Sequence, residues 1–333
     1  MVVPEALWWG PGREVVMVVG RKTSFFAMIA VAAAVSLGFT HGHELCAGFL
    51  PENDMKIPVG QKGSGGLTQE QFNAVIDSVE EIYKPIVASK GGKLVVERKW
   101  EDPTVNAYAN RGWGGTWNVA MFGGLARHSA VTPDGFALVV CHEIGHHLGG
   151  FPKKFGWASN EGQADYFATL KCLRRVYGSG ALSKGMPQED CDDAHGGGGA
   201  SQDCQRNAQA GLSIAKLFQA LRNLPEPPEF TTPDESVAER MDNNHPQPQC
   251  RLDTYYQGGL CTKGLGEDVD DSNPLAGTCN RVEGYSVGVR PLCWYKPPQQ
   301  AKVAAKVPLR EKLPDAEALS RRISALRASL DAS

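Results

Sequence analysis

The stretch Val139–Gly150, "VVCHEIGHHLGG", decides how the rest of the chain is read. It holds four side chains able to bind a metal ion, Cys141, His142, His146 and His147, and one acid, Glu143. The preceding residues, "DGFALV" (134–139), are apolar after Asp134, and the following Gly149-Gly150 pair is a helix stop. The whole of 134–150 therefore predicts a helix with Asp134 as its cap. On a helix, residues four apart share a face, so His142 and His146 point the same way and Glu143 lies at the edge of that face. This is the H-E-x-x-H arrangement, in which two imidazoles hold zinc and the glutamate handles the proton of the attacking water.

Catalytic zinc takes three protein ligands and leaves one position open. A third histidine six residues after His146 would complete one known pattern, and Gly149 sits where that pattern has its glycine. Residue 152, however, is a proline and cannot ligate. The next helical stretch, "SNEGQADYFATLKCLRRVYG" (159–178), offers Glu161 in its first turn and Asp165 one turn later. Glu161 is the expected third ligand. Asp165, on the same face, is placed to accept the ring N–H of a ligating histidine and fix its orientation. His147 lies about 100° away from His142 and His146 and is expected to pack rather than ligate. Cys141 is also off that face. In the middle of the metal helix a bridge would strain the site, so Cys141 is expected as the free thiol.

The surrounding chain reads as α+β, mainly helical with a small antiparallel sheet whose edge strand flanks the metal helix. "LTQEQFNAVIDSVEEIYKPIV" (67–87) predicts a helix, with Thr68 and Gln71 forming a capping box. "KLVVERKW" (93–100) predicts a strand, and "TVNAYANRGWGGTWNVAMFGGLAR" (104–127) predicts strand, glycine-rich turn, strand. "CQRNAQAGLSIAKLFQALRNL" (204–224) predicts a third helix.

With 333 residues, 42% hydrophobic and 21% charged, the chain can bury a core, and its formal net charge of −3 gives no reason to expect nucleic acid as a partner. Arg21 and Lys22 precede "SFFAMIAVAAAVSLGFT" (24–40), an apolar run short for a membrane span and suited to a signal peptide. Met17 is a candidate start. Left uncleaved, the same run would tether the protein to a membrane. Export to the periplasm or the medium implies an oxidising compartment, in which most of the nine cysteines pair. Cys191 and Cys204 are expected to close the glycine-rich loop between them, and Cys250, Cys261, Cys279 and Cys293 to form two more bridges of open connectivity. The expected organisation is an N-terminal extension to residue 42, a linker over 43–67, a catalytic domain over 68–258, a cysteine-rich extension over 259–299 and a charged tail over 300–333. In that tail Leu319, Ile323, Leu326 and Leu330 mark a short amphipathic helix.

Residues 106–109, "NAYA", the glycine-rich strand, "HEIGH" and the E-x-x-A-D of Glu161, Ala164 and Asp165 together resemble the gluzincin metallopeptidases of the CAAX-prenyl-protease and HtpX-like group. "NNHPQPQCR" (243–251) is similar to their H-P motif with a following arginine. The resemblance covers roughly 68–255. It implies a zincin-like fold, one Zn²⁺ per chain, and a polypeptide substrate. It also implies that His245 and Arg251 join Glu143 at the active site, as donors to the oxyanion. Backbone pairing of the substrate would then fall to the strand around Trp117–Met121. Many members span the membrane several times and this chain has one candidate span at most, so their prenylated substrates do not carry over. A binding protein that keeps the metal site without turnover is the alternative, and the intact Glu143 speaks against it. Nothing in the sequence sets the oligomeric state.

Overall fold

The computed structural model describes residue 46 and residues 48–61, 65–177 and 188–298. The chain divides into Met1–Glu44 and Leu45–Ser333, and every described residue belongs to the second unit. The apolar N-terminal run and the amphipathic tail pattern lie outside the described residues. Among the described residues no helix is long and apolar enough to cross a membrane.

Helix α1 (Gln69–Ser89) starts at the capping box read from the sequence: Thr68 Oγ1 accepts from Gln71 N, and Gln71 Oε1 from Thr68 N. Its buried residues Phe72, Ile76, Val79, Tyr83 and Val87 recur at helical spacing and lie in the main apolar core. Strands β1 (Lys93–Lys99), β2 (Ala107–Arg111) and β3 (Thr116–Phe122) form one sheet in the order β1-β3-β2. β2 and β3 make the expected antiparallel hairpin, but β1 pairs parallel with β3. The sheet is therefore mixed rather than antiparallel, and Trp117–Met121 lies in its central strand. The cause is visible in composition. "TWNVAMF" is almost continuously apolar, as a strand covered on both sides is, whereas "KLVVERK" carries the charges of an edge. The edge nearer the metal helix is β2.

A short helix, α2 (Gly123–Arg127), leads to α3 (Pro133–Leu148). Thr132, not Asp134, caps α3 by accepting from Gly135 N. Asp134 instead receives two hydrogen bonds from Arg206, at 2.7 and 2.8 Å. Residues 135–148 are all buried, so α3 is the central helix of the fold. The β4–β5 hairpin (Lys153–Phe155 and Ala158–Ser159) turns the chain back. Helix α4 (Glu161–Phe167) is capped by Asn160 and runs through a π-helical turn, Ala168–Cys172, into α5 (Leu173–Tyr177). Helices α6 (Gln188–His195), α7 (Gly198–Arg222) and α8 (Pro248–Leu260) complete the helical part. α7 begins six residues before the expected 204.

Disulfides join Cys141–Cys172, Cys191–Cys204, Cys250–Cys293 and Cys261–Cys279. Cys141 is thus not the free thiol expected of it. Pointing off the ligand face, it meets Cys172 at the end of the π turn with a Cα–Cα distance of 5.5 Å, within the range a bridge accepts without moving backbone. Cys46 is the ninth cysteine and is buried. The cysteine-rich segment after 259 packs on α4 and α8. The Trp294 indole donates to Thr254 Oγ1 at 2.9 Å, Arg290 Nε donates to Gln163 Oε1 at 2.6 Å, and the Tyr166 hydroxyl donates to Gly288 O.

Candidate metal centre

The helical spacing of His142 and His146 places both rings on one side of α3, with centroids 4.7 Å apart and planes nearly perpendicular. The third member arrives because α4 can come close. A Cβ at Gly145 would lie only 2.9–3.3 Å from the backbone of Ala164, so a larger residue there would push α4 away. With glycine in place, Glu161 Oε2 stands 3.4 Å from His142 Nε2 and 3.7 Å from His146 Nε2. The three atoms lie within 4.8 Å of one another.

Hydrogen bonding decides what these atoms are for. His142 Nδ1 is 2.6 Å from Asp165 Oδ1, and His146 Nδ1 is 2.9 Å from Ser159 O. Donation from both Nδ1 atoms leaves the Nε2 lone pairs facing the centre. His142 Nε2, His146 Nε2 and Glu161 Oε2 are fully buried and have no hydrogen-bond partner. Leaving one such group unmet costs about 1–3 kcal/mol; three that converge form a site for a cation. The residues present therefore fit a metal ion, in the ligand set the sequence predicts. Among the described residues one other group of ligand types comes together, Asp234 with Cys250 and Cys293, but its two sulfurs are joined in a disulfide.

Around the triad the charges are arranged in layers. Asp165 takes the His142 N–H and two hydrogen bonds from Arg251, Nε to Oδ2 at 2.8 Å and Nη2 to Oδ1 at 2.9 Å. Burial works against its charge, but Arg251 and His142 prevail and hold the Asp165 carboxyl below its ordinary value. Burial likewise opposes a charge on His142, yet Asp165 raises its pKa to about 9. A proton and a metal ion would thus compete for His142 Nε2. Burial lowers His146 to about 4. Glu143 is completely buried with neither oxygen hydrogen-bonded, and burial raises its pKa to about 8 against the opposing charge of His142.

His245 and Arg251, about a hundred residues away in sequence, are both brought here. His245 Nε2 is 3.5 Å from Glu161 Oε2 and 2.7 Å from Gly48 O. Its segment is tied to the N-terminus of α4 by Asn160 Nδ2, which donates to Asp242 O and Asn243 Oδ1. Arg251 reaches the triad through Asp165 and also donates from Nη1 to Phe49 O at 2.7 Å. His147 faces the other way. It stacks on Trp117 and on Trp157, receives Arg111 Nε at Nδ1 and donates from Nε2 to Asn118 O. Tyr166, turned toward Gly288, is outside the site.

Sequence reasoning missed Gly48, Phe49 and Asn106. Asn106 Oδ1 accepts from Leu50 N at 2.9 Å, and its Nδ2 donates to Leu50 O at 3.1 Å. Asn106 belongs to the "NAYA" stretch and was within reach of that signal; no pattern marks residues 46–50. Comparisons of the chain with protein-family models, with curated proteins and with solved structures return no match.

Proposed function

We propose that this protein is a zinc-dependent endopeptidase of the gluzincin type, acting on polypeptides in an oxidising compartment, the periplasm or the medium. One observation carries the reading: three orphaned ligand atoms, from His142, His146 and Glu161, converge in a buried site that also holds the unpartnered carboxyl of Glu143. A scaffold has no use for that carboxyl, whose burial without a partner is destabilising. The four disulfides support the compartment.

Zinc held by His142, His146 and Glu161 would supply Lewis acidity and bring the pKa of a water to about 7. Glu143 takes the proton as the water attacks a peptide carbonyl and hands it to the leaving nitrogen. His245, already seated on one peptide carbonyl, donates to the carbonyl oxygen as negative charge builds on it. Asp165 fixes the His142 ring through Nδ1, and Arg251 fixes Asp165. Arg251 is thereby a positioning residue.

The test is elemental analysis followed by digestion of casein with and without a chelator. One zinc per chain and chelator-sensitive cleavage that disappears in Glu143→Gln are expected. Cleavage that survives chelation or the Glu143→Gln change would exclude the mechanism.

A further inference from the structure

The ligand atoms and both Glu143 oxygens are closed off from solvent, and part of the cover is the chain's own segment around Cys46–Leu50. Its contacts are those of a peptide in a cleft. Cys46 N donates to Ala109 O at 3.1 Å and Phe49 N to Ala107 O at 2.9 Å, so these two residues meet, in antiparallel order, the edge of β2 that β3 leaves open. Both backbone groups of Leu50 are clasped by the Asn106 side chain. The Gly48 carbonyl accepts from His245 and the Phe49 carbonyl from Arg251, each at 2.7 Å. The Phe49 ring lies edge-on to His142, with centroids 5.0 Å apart, and packs on Phe218 beneath the Arg251 guanidinium. Strand addition at a sheet edge with one side chain in a pocket is a standard mode of peptide recognition.

We propose that this segment is an internal occupant of the substrate cleft. The Gly48 carbonyl stands where the carbonyl to be attacked would stand, and Phe49 fills the pocket for the residue that follows the cut bond. The inference rests on the peptidase reading and deepens it in two ways. The docked segment competes with substrate and holds the wild-type rate down without abolishing it, and the substrates are peptides with a large apolar residue, aromatic above all, directly after the cut bond. The register is taken from His245: the nitrogen that holds Gly48 O is also 3.5 Å from the ligand oxygen of Glu161, so one side chain links the Gly48 carbonyl to the triad. The competition follows from magnitudes. A segment tethered by a short connection competes at an effective concentration on the order of millimolar, at or above the roughly 1 μM–1 mM range of typical KM values.

Two variants loosen the segment differently. Phe49→Ala removes its anchor. Gly48→Ala keeps the ring but adds a Cβ at φ 82°, where it would lie 2.7 Å from Tyr108 and 3.0 Å from Asn106. Each is compared with the wild-type full chain at equal zinc content on internally quenched peptides that vary only after the cut bond. Separately, the synthetic peptide Gly-Phe-Leu-Pro-Glu is titrated by calorimetry into each protein carrying Glu143→Gln, where binding is read without turnover. At least a tenfold gain in kcat/KM is expected in a variant, largest for Phe and Leu peptides, with peptide binding to the loosened proteins and not to the closed one. Hydrolysis at unchanged rates with no peptide binding would overturn the inference and leave the peptidase reading standing. Peptide binding to the loosened proteins with no hydrolysis anywhere would uphold the docked segment and overturn the peptidase reading.

Discussion

His146 and His147 are neighbours on one buried helix, yet the two faces of α3 treat them differently. His146 uses Nδ1 on a carbonyl and leaves Nε2 facing Glu161 with no hydrogen-bond partner. His147 has both nitrogens engaged and its ring stacked on two tryptophans, and burial lowers its pKa to about 3. Burial, then, does not distinguish a ligand from a packed imidazole. What distinguishes them is whether the ring's second nitrogen is satisfied by protein. One face of α3 leaves ring nitrogens without a hydrogen-bond partner, and the other satisfies both.

The largest effect expected from this contrast is on metal binding. His146→Ala should weaken zinc binding by more than about 100-fold, beyond what losing an outer hydrogen bond does, whereas His147→Ala should keep one zinc per chain. Competition with a chromophoric chelator measures both. Zinc loss in a folded His147→Ala protein would break the comparison. Next in size is Glu143→Gln, expected to retain zinc and fold while kcat falls by roughly 10²–10⁴. His245→Ala should lower kcat by about 10²–10³ with KM little changed. Arg251→Ala, which strands the buried Asp165 charge, should also show as instability of about 3–5 kcal/mol in denaturant titrations. A stable Arg251→Ala protein with normal zinc affinity would mean that Asp165 does not depend on it. The smallest expected effect tests the packing side of α3: replacing Cys141 and Cys172 together by alanine should cost about 2–4 kcal/mol and leave zinc stoichiometry at one.

How much of this was legible follows from distance along the chain. His142, Glu143 and His146 declare themselves within five residues, because helical period alone puts them together. Glu161 and Asp165 are one turn of chain away, and their spacing suffices once a second helix is granted. His245 could be named only through a motif, since nothing in local periodicity links residue 245 to 142. The segment over 46–50 falls within the expected linker because its partners, Ala107, Ala109, His245 and Arg251, lie up to 202 residues away and no periodic pattern marks it. The place of β3 at the sheet centre is marked by its largely apolar run, but a hairpin pattern alone does not say which of three strands lies between the others. The Cys141–Cys172 bridge joins two helices at the end of a π turn, and no spacing of two cysteines 31 residues apart announces that meeting.

That bridge has a topological consequence. Its two cysteines are 31 residues apart and enclose His142, Glu143, His146, Glu161 and Asp165. Every ligand therefore sits on one covalent ring. When the oxidised protein unfolds, the bridge gives His142 and Glu161 a second path beside the direct stretch of chain that joins them, which narrows how far they can separate. A cut anywhere between Gly149 and Asn160 would open the ring into two strands that remain bonded, each keeping its donors. Reduction instead lets the donors drift apart on the open chain. Thiol chemistry and the spacing of the three candidate donors in the unfolded chain are thus linked through chain connectivity.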